Sequence, residues 1–66
     1  MTKLRILEPE VDRVKAEFHR DVKADDDLAC LRLLRDEHKA RRLGGDWRDF
    51  RIQAWDQRRG WIEHST

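Results

Sequence analysis

At 66 residues with one cysteine, the chain has room for a single domain, 1–66, and no disulfide within it. A small core must hold alone or with the help of a partner. Charged residues make up 44% of the chain, yet 15 Lys and Arg nearly balance 14 Asp and Glu, which excludes both a strongly basic arm and a polyanion.

Three Trp, seven Leu and a single Pro argue for folding over disorder. No apolar run approaches the roughly 20 residues that span a bilayer, and no signal-peptide core follows Met1-Thr2-Lys3. These features predict a cytoplasmic protein that starts at its own methionine and has no membrane segment.

In Lys3-Leu4-Arg5-Ile6-Leu7 apolar and charged residues alternate, the period of a half-buried strand. Leu4, Leu7, Val11, Val14 and Phe18 also keep a three-four spacing, but Pro9 argues against a helix running through it. From Pro9, the steps between Val11, Val14, Phe18 and Val22 place all four on one stripe of a first helix ending near Lys23. Glu8, Glu10 and Asp12 would sit at the positive end of its dipole.

Asp25, Asp26 and Asp27 offer N-caps for a second helix from Asp27 to Leu43, with Gly44-Gly45 as its stop. Its front, Leu28-Ala29-Cys30-Leu31-Arg32-Leu33-Leu34, is apolar nearly all round and is expected to be buried. Arg35 to Arg42 is almost wholly charged and is expected to project into water or onto a partner. Glu37 and Arg41 have the spacing of a helical ion pair.

Residues 46–64 read two ways. As a helix at about 46–59, Asp46 caps it and Trp47, Phe50, Ala54 and Trp61 share a face. As strands, Phe50, Ile52 and Ala54 alternate with Arg51, Gln53 and Trp55. A loop ending at Gly60 then leads to Trp61-Ile62-Glu63. A lone N-terminal strand needs pairing partners, which favours the hairpin. The expected fold is therefore α+β: a short N-terminal strand, two consecutive amphipathic helices and a C-terminal β-hairpin (β-α-α-β-β). The alternative is an all-α three-helix bundle.

His19, His38, His64, Cys30 and the three aspartates are the candidate metal ligands, and none has ligand spacing. The chain has neither a phosphate-binding glycine loop nor a nucleophile elbow, and Cys30 lies among leucines, so no catalytic residue and no cofactor are expected. What exceeds background is the segment carrying Lys39, Arg41, Arg42, Trp47, Arg48, Arg51, Trp55, Arg58, Arg59 and Trp61.

Arg and Trp are the types enriched at protein-binding hot spots. They are also the types that neutralise phosphates and stack on bases. Equally, the tryptophans could fill the core with the arginines as its solvated rim. The expected function is a small non-enzymatic protein-binding module, a regulator or inhibitor of the kind phages and mobile elements encode, acting on a host protein complex. The alternative is a small nucleic-acid-binding regulator using the same residues, and either allows a homodimer.

Overall fold

Period-two alternation, more than helical spacing, governs the N-terminal half. The computed structural model describes residues 1–66 as β1 (Thr2–Leu7), β2 (Val14–Arg20), α1 (Asp27–Ala40), β3 (Arg51–Asp56) and β4 (Gly60–His64), with one 3₁₀ turn at Trp47–Asp49. The strands form one antiparallel sheet in the order β2-β1-β3-β4. The fold is thus ββαββ with a single helix, which corrects both the β-α-α-β-β and the three-helix expectations.

The first helix is replaced by the β1–β2 hairpin. Val14-Lys15-Ala16-Glu17-Phe18-His19-Arg20 alternates as a strand does, and β2 pairs with β1 from Thr2↔Arg20 to Ile6↔Ala16. Ala16 and Phe18 are buried, while Val11 and Val14 remain 48% and 39% exposed. The Val11/Val14/Phe18/Val22 stripe is therefore not a core face. Pro9 and Glu10, the latter at φ 64°, lie in the connecting turn, which Glu8 N–H closes by donating to Arg13 C=O at 3.0 Å.

Helix α1 begins where the aspartates place it: Asp26 is the N-cap and accepts from Ala29 N–H at 3.1 Å. It ends at Ala40, three residues before Leu43. Leu43 N–H donates to His38 C=O (3.1 Å) and Arg42 N–H to Lys39 C=O (3.2 Å), the paired bonds of a Schellman stop. Arg42 occupies the left-handed position at φ 53°, where glycine is usual, and the two glycines follow it.

The helix is also less evenly divided than expected. In its front half only Cys30 and Leu34 are fully buried and Leu28 is 61% exposed, whereas Glu37 and His38 in the charged half are buried. Glu37 receives the Arg20 guanidinium at 2.6 Å and lies 3.7 Å from that of Arg41. His38 sets its ring edge-on to Phe50 at 4.9 Å and its Nε2 2.7 Å from Gly44 C=O.

Asp46 accepts from Arg48 N–H at 3.0 Å, but what it caps is the 3₁₀ turn and not a third helix, since Phe50 turns to extended backbone at ψ 163°. Strands β3 and β4 then pair from Ile52↔His64 to Asp56↔Gly60. The core lies between α1 and one face of the sheet. Leu4, Ile6, Ala16, Phe18, Ile52 and Ala54 meet Cys30 and Leu34, with Ala24 and Phe50 closing the ends. His64 is buried against the helix start, its ring nitrogens 2.8 Å from Asp27 Oδ1 and 2.8 Å from Ala24 C=O. No helix is long and apolar enough to cross a membrane.

Candidate functional site

With one helix over one face, the other face of the sheet has no covering element. In a strand, successive side chains point to opposite faces, so Lys3 and Arg5 of β1, Glu17 and His19 of β2, Gln53 and Trp55 of β3, and Trp61 and Glu63 of β4 lie on this outer face. The register lines up one row as Glu17, Arg5, Gln53 and Glu63. Within it, Arg5 Nε donates to Gln53 Oε1 at 2.8 Å, and Gln53 Nε2 donates to Glu63 Oε1 at 3.1 Å.

Beside this row stands an aromatic pair. Trp55 and Trp61 are directly opposed, with ring centroids 5.4 Å apart at 71°, edge to face. The Arg5 guanidinium carbon lies 3.8 Å from the Trp61 ring centroid, and Lys3 Nζ lies 6.0 Å from it. Both are cation–π arrangements. Trp61 is half-buried beneath Arg5, while Trp55 is 45% exposed. A ring held by its neighbours yet open to solvent can meet a ligand with little loss of side-chain freedom.

The ten residues expected to form one surface fall in four places. Lys39, Arg41, Arg42, Trp47 and Arg48 belong to the end of α1 and the loop beyond it. Of these, Arg41 lies over Phe18 at 5.4 Å, Trp47 packs on the core and Arg48 folds back onto Asp46 at 2.8 Å. Arg51 is mostly buried and committed within the chain. It bonds Asp12 and Glu63 at 3.2 and 3.3 Å and donates to the carbonyls of Glu8 and Val11.

Trp55 and Trp61 form the outer-face pair just described. Arg58 and Arg59 lie in the β3–β4 turn, where Arg59 reaches Asp25 and Asp56, both at 3.2 Å. The structure thus brings together Trp55 and Trp61 but separates them from the helix-end group. It adds Lys3, Arg5, Glu17 and His19, which sequence reasoning passed over. The signal was present for Lys3 and Arg5, the charged positions of an alternating strand, and in the same pattern for Glu17 and His19.

The perturbed titratable groups lie at turns and at the helix start. The Arg48 side chain and backbone N–H groups hold the Asp46 carboxyl down at about 2. Hydrogen bonding from Arg59 lowers Asp56. Burial pushes the Cys30 thiol up to about 11, and the nearby carboxylates of Asp26, Asp27 and Asp25 push in the same direction. A thiol so shifted is a poor nucleophile at neutral pH. No group of three His, Cys, Asp or Glu side chains converges as a metal site. No protein-family model matches the chain, and neither a curated protein nor a solved structure is significantly similar to it.

Proposed function

We propose that this chain is a small non-enzymatic protein-recognition module whose working surface is the uncovered face of the sheet, centred on Arg5, Trp55 and Trp61. The observation that carries the proposal is the Arg5–Trp61–Trp55 arrangement, a guanidinium 3.8 Å from one ring centroid and a second ring edge to face with the first at 5.4 Å. It combines the residue types that dominate binding energy at protein interfaces in a geometry already held by neighbours. Glu17, Gln53 and Glu63 give this centre a polar rim of mixed sign.

Those two carboxylates favour a protein over a nucleic-acid strand on this face, because a phosphate backbone crossing the row would run against them. A module of this kind acts by occupying its partner, the mode of a small regulator or inhibitor. A reducing, cytoplasmic setting suits a chain whose single thiol is free and buried.

Affinity capture from the source cells tests the proposal by comparing the parent with Trp55→Ala and Arg5→Ala. The parent is expected to retain one protein after nuclease treatment. Each variant should lose it by about 30-fold, the loss of about 2 kcal/mol that marks a hot spot. Equal retention by both variants, or recovery of nucleic acid in place of protein, refutes it.

A further inference from the structure

At the end of the sheet that carries the start of β1, a cleft of about 540 Å³ opens between Thr2-Lys3, the segment at 22–25 and the β3–β4 turn. The volume falls in the range of small-ligand sites, about 300–1,000 Å³. Lys3, Lys23, Arg58 and Arg59 line it against two carboxylates, Asp25 and Asp56. Both carboxylates are taken up by Arg59. Lys3, Lys23 and Arg58 have no ion-pair partner, and four cations against two carboxylates leave the cleft a net charge of +2. The exposed ring of Trp55 forms part of the same wall, held edge-on by Trp61.

The cleft is a cationic island. Asp21, Asp26 and Asp27 are exposed along the chain segment on one side of it, and Glu17 and Glu63 stand in the next row of the sheet face. A polyanion threaded through the cleft along both routes meets carboxylates on each side, whereas a compact anion, or a strand end whose remainder points into solvent, does not. Cations fit a phosphate, and an open indole fits a planar ring by stacking.

We propose that this cleft binds one nucleotide unit, its phosphate held by Lys3, Lys23 and Arg58 and its base stacked on Trp55. This goes beyond the protein-recognition proposal and does not depend on it. The shared chemistry, phosphate plus base, is offered both by a free mononucleotide and by the 5′-phosphorylated end of a strand.

Titration of the ¹⁵N-labelled full chain at low salt tests the proposal. The probes are AMP, adenosine, inorganic phosphate, and an eight-nucleotide single strand with and without a 5′-phosphate. AMP is expected to shift the Trp55 indole and the backbone amides of Lys23 and Arg58. Adenosine and inorganic phosphate should each bind at least about tenfold more weakly, since each lacks one of the two contacts.

Lys23→Glu and Arg58→Glu, both exposed turn or loop positions, should each weaken AMP by about tenfold or more while leaving the amide spectrum folded. Trp55→Phe should keep binding and Trp55→Ala lose it. A phosphorylated strand binding at least as well as AMP, and better than its unphosphorylated form, assigns the site to strand ends. A free mononucleotide is assigned if AMP binds better than the phosphorylated strand. Inorganic phosphate binding as tightly as AMP, equal binding of the two strands above AMP, or no binding of AMP and phosphorylated strand overturns the proposal.

Discussion

Truncating Leu34 probes the single helix–sheet interface on which the fold rests. Leu34 is fully buried between α1 and the inner sheet face. Replacing it with Ala removes three carbon groups, a transfer loss of about 2.4 kcal/mol at about 0.8 per group. A residual cavity of about 60 Å³ adds about 1.4 kcal/mol if the surroundings stay in place. Partial collapse brings the expected cost to about 3 kcal/mol.

A chain of this length has a total stability of about 3–10 kcal/mol, so Leu34→Ala should remove a third or more of it. The melting temperature should fall by at least about 12 °C. Urea and thermal unfolding followed by Trp fluorescence and far-UV circular dichroism measure both. Leu28→Ala, six residues earlier on the same helix and 61% exposed, should cost less than about 0.5 kcal/mol. The apolar front of the helix would be evenly buried in a two-helix fold, and the two substitutions would then cost alike. Equal costs would therefore refute the one-helix packing.

Arg42→Gly should stabilise the chain by about 0.5–1 kcal/mol in the same urea assay, because Arg42 holds a left-handed φ of 53° at the stop of α1 where glycine carries no steric penalty. Cys30, with its thiol at about 11, should react with Ellman's reagent at pH 8 at least about 100-fold more slowly than an exposed thiol of ordinary pKa; a rate within a few-fold of the unfolded chain's contradicts its burial. Asp46 and Asp56 titrate below their unfolded values, Asp46 at about 2, so what they add to stability is present at neutral pH and is lost as pH falls below the ordinary carboxylate range. Asp56→Asn should flatten that acid dependence, which melting temperature against pH will show. Trp55→Ala, at an exposed position, should change stability by less than about 1 kcal/mol while weakening partner capture by about 30-fold; a large loss of stability would make Trp55 a structural residue.

The start of α1 was legible because its local signal had no rival, and the C-terminal hairpin because the need of β1 for a pairing partner decided against a third helix. Asp25-Asp26-Asp27 before an apolar run marks the start of α1, and Phe50-Arg51-Ile52-Gln53-Ala54-Trp55 before a turn ending at Gly60 marks the C-terminal hairpin. The misread part, residues 9–23, carries two periods at once. Val11, Val14, Phe18 and Val22 satisfy a helix, and Val14, Ala16 and Phe18 satisfy a strand.

The competition is settled by backbone pairing, a long-range term that no window of sequence contains. As β2, the segment satisfies the otherwise unpaired side of β1 from Thr2 to Leu7; as a helix it would leave β1 paired on one side only. The same blindness to pairing scattered the candidate site. Trp55 and Trp61 belong with Lys3 and Arg5 through strand register, and the Trp61 contacts with Lys3 and Arg5 join residues 58 and 56 positions apart in the numbering. Their sequence neighbours Arg48 and Arg59 instead fold onto Asp46, Asp56 and Asp25.

The uncovered face follows from the same economy of length. A four-stranded sheet needs cover on both faces to bury strands that are apolar on both, and 66 residues supply only one helix. The sequence answers with strands apolar on one side and with long side chains that lie flat on the other. Arg5 covers Trp61, Gln53 bridges Arg5 to Glu63, and Arg51 draws in Asp12 and the β1–β2 turn. That tiling satisfies most of the face from within and leaves few groups free for anything else. Trp55 is the large apolar side chain it does not cover, and Lys3, Lys23 and Arg58 beside it are cations without a carboxylate partner. Tiling alone leaves that exposure unexplained, which is why recognition, of a protein across the face and of a nucleotide at its end, is placed there.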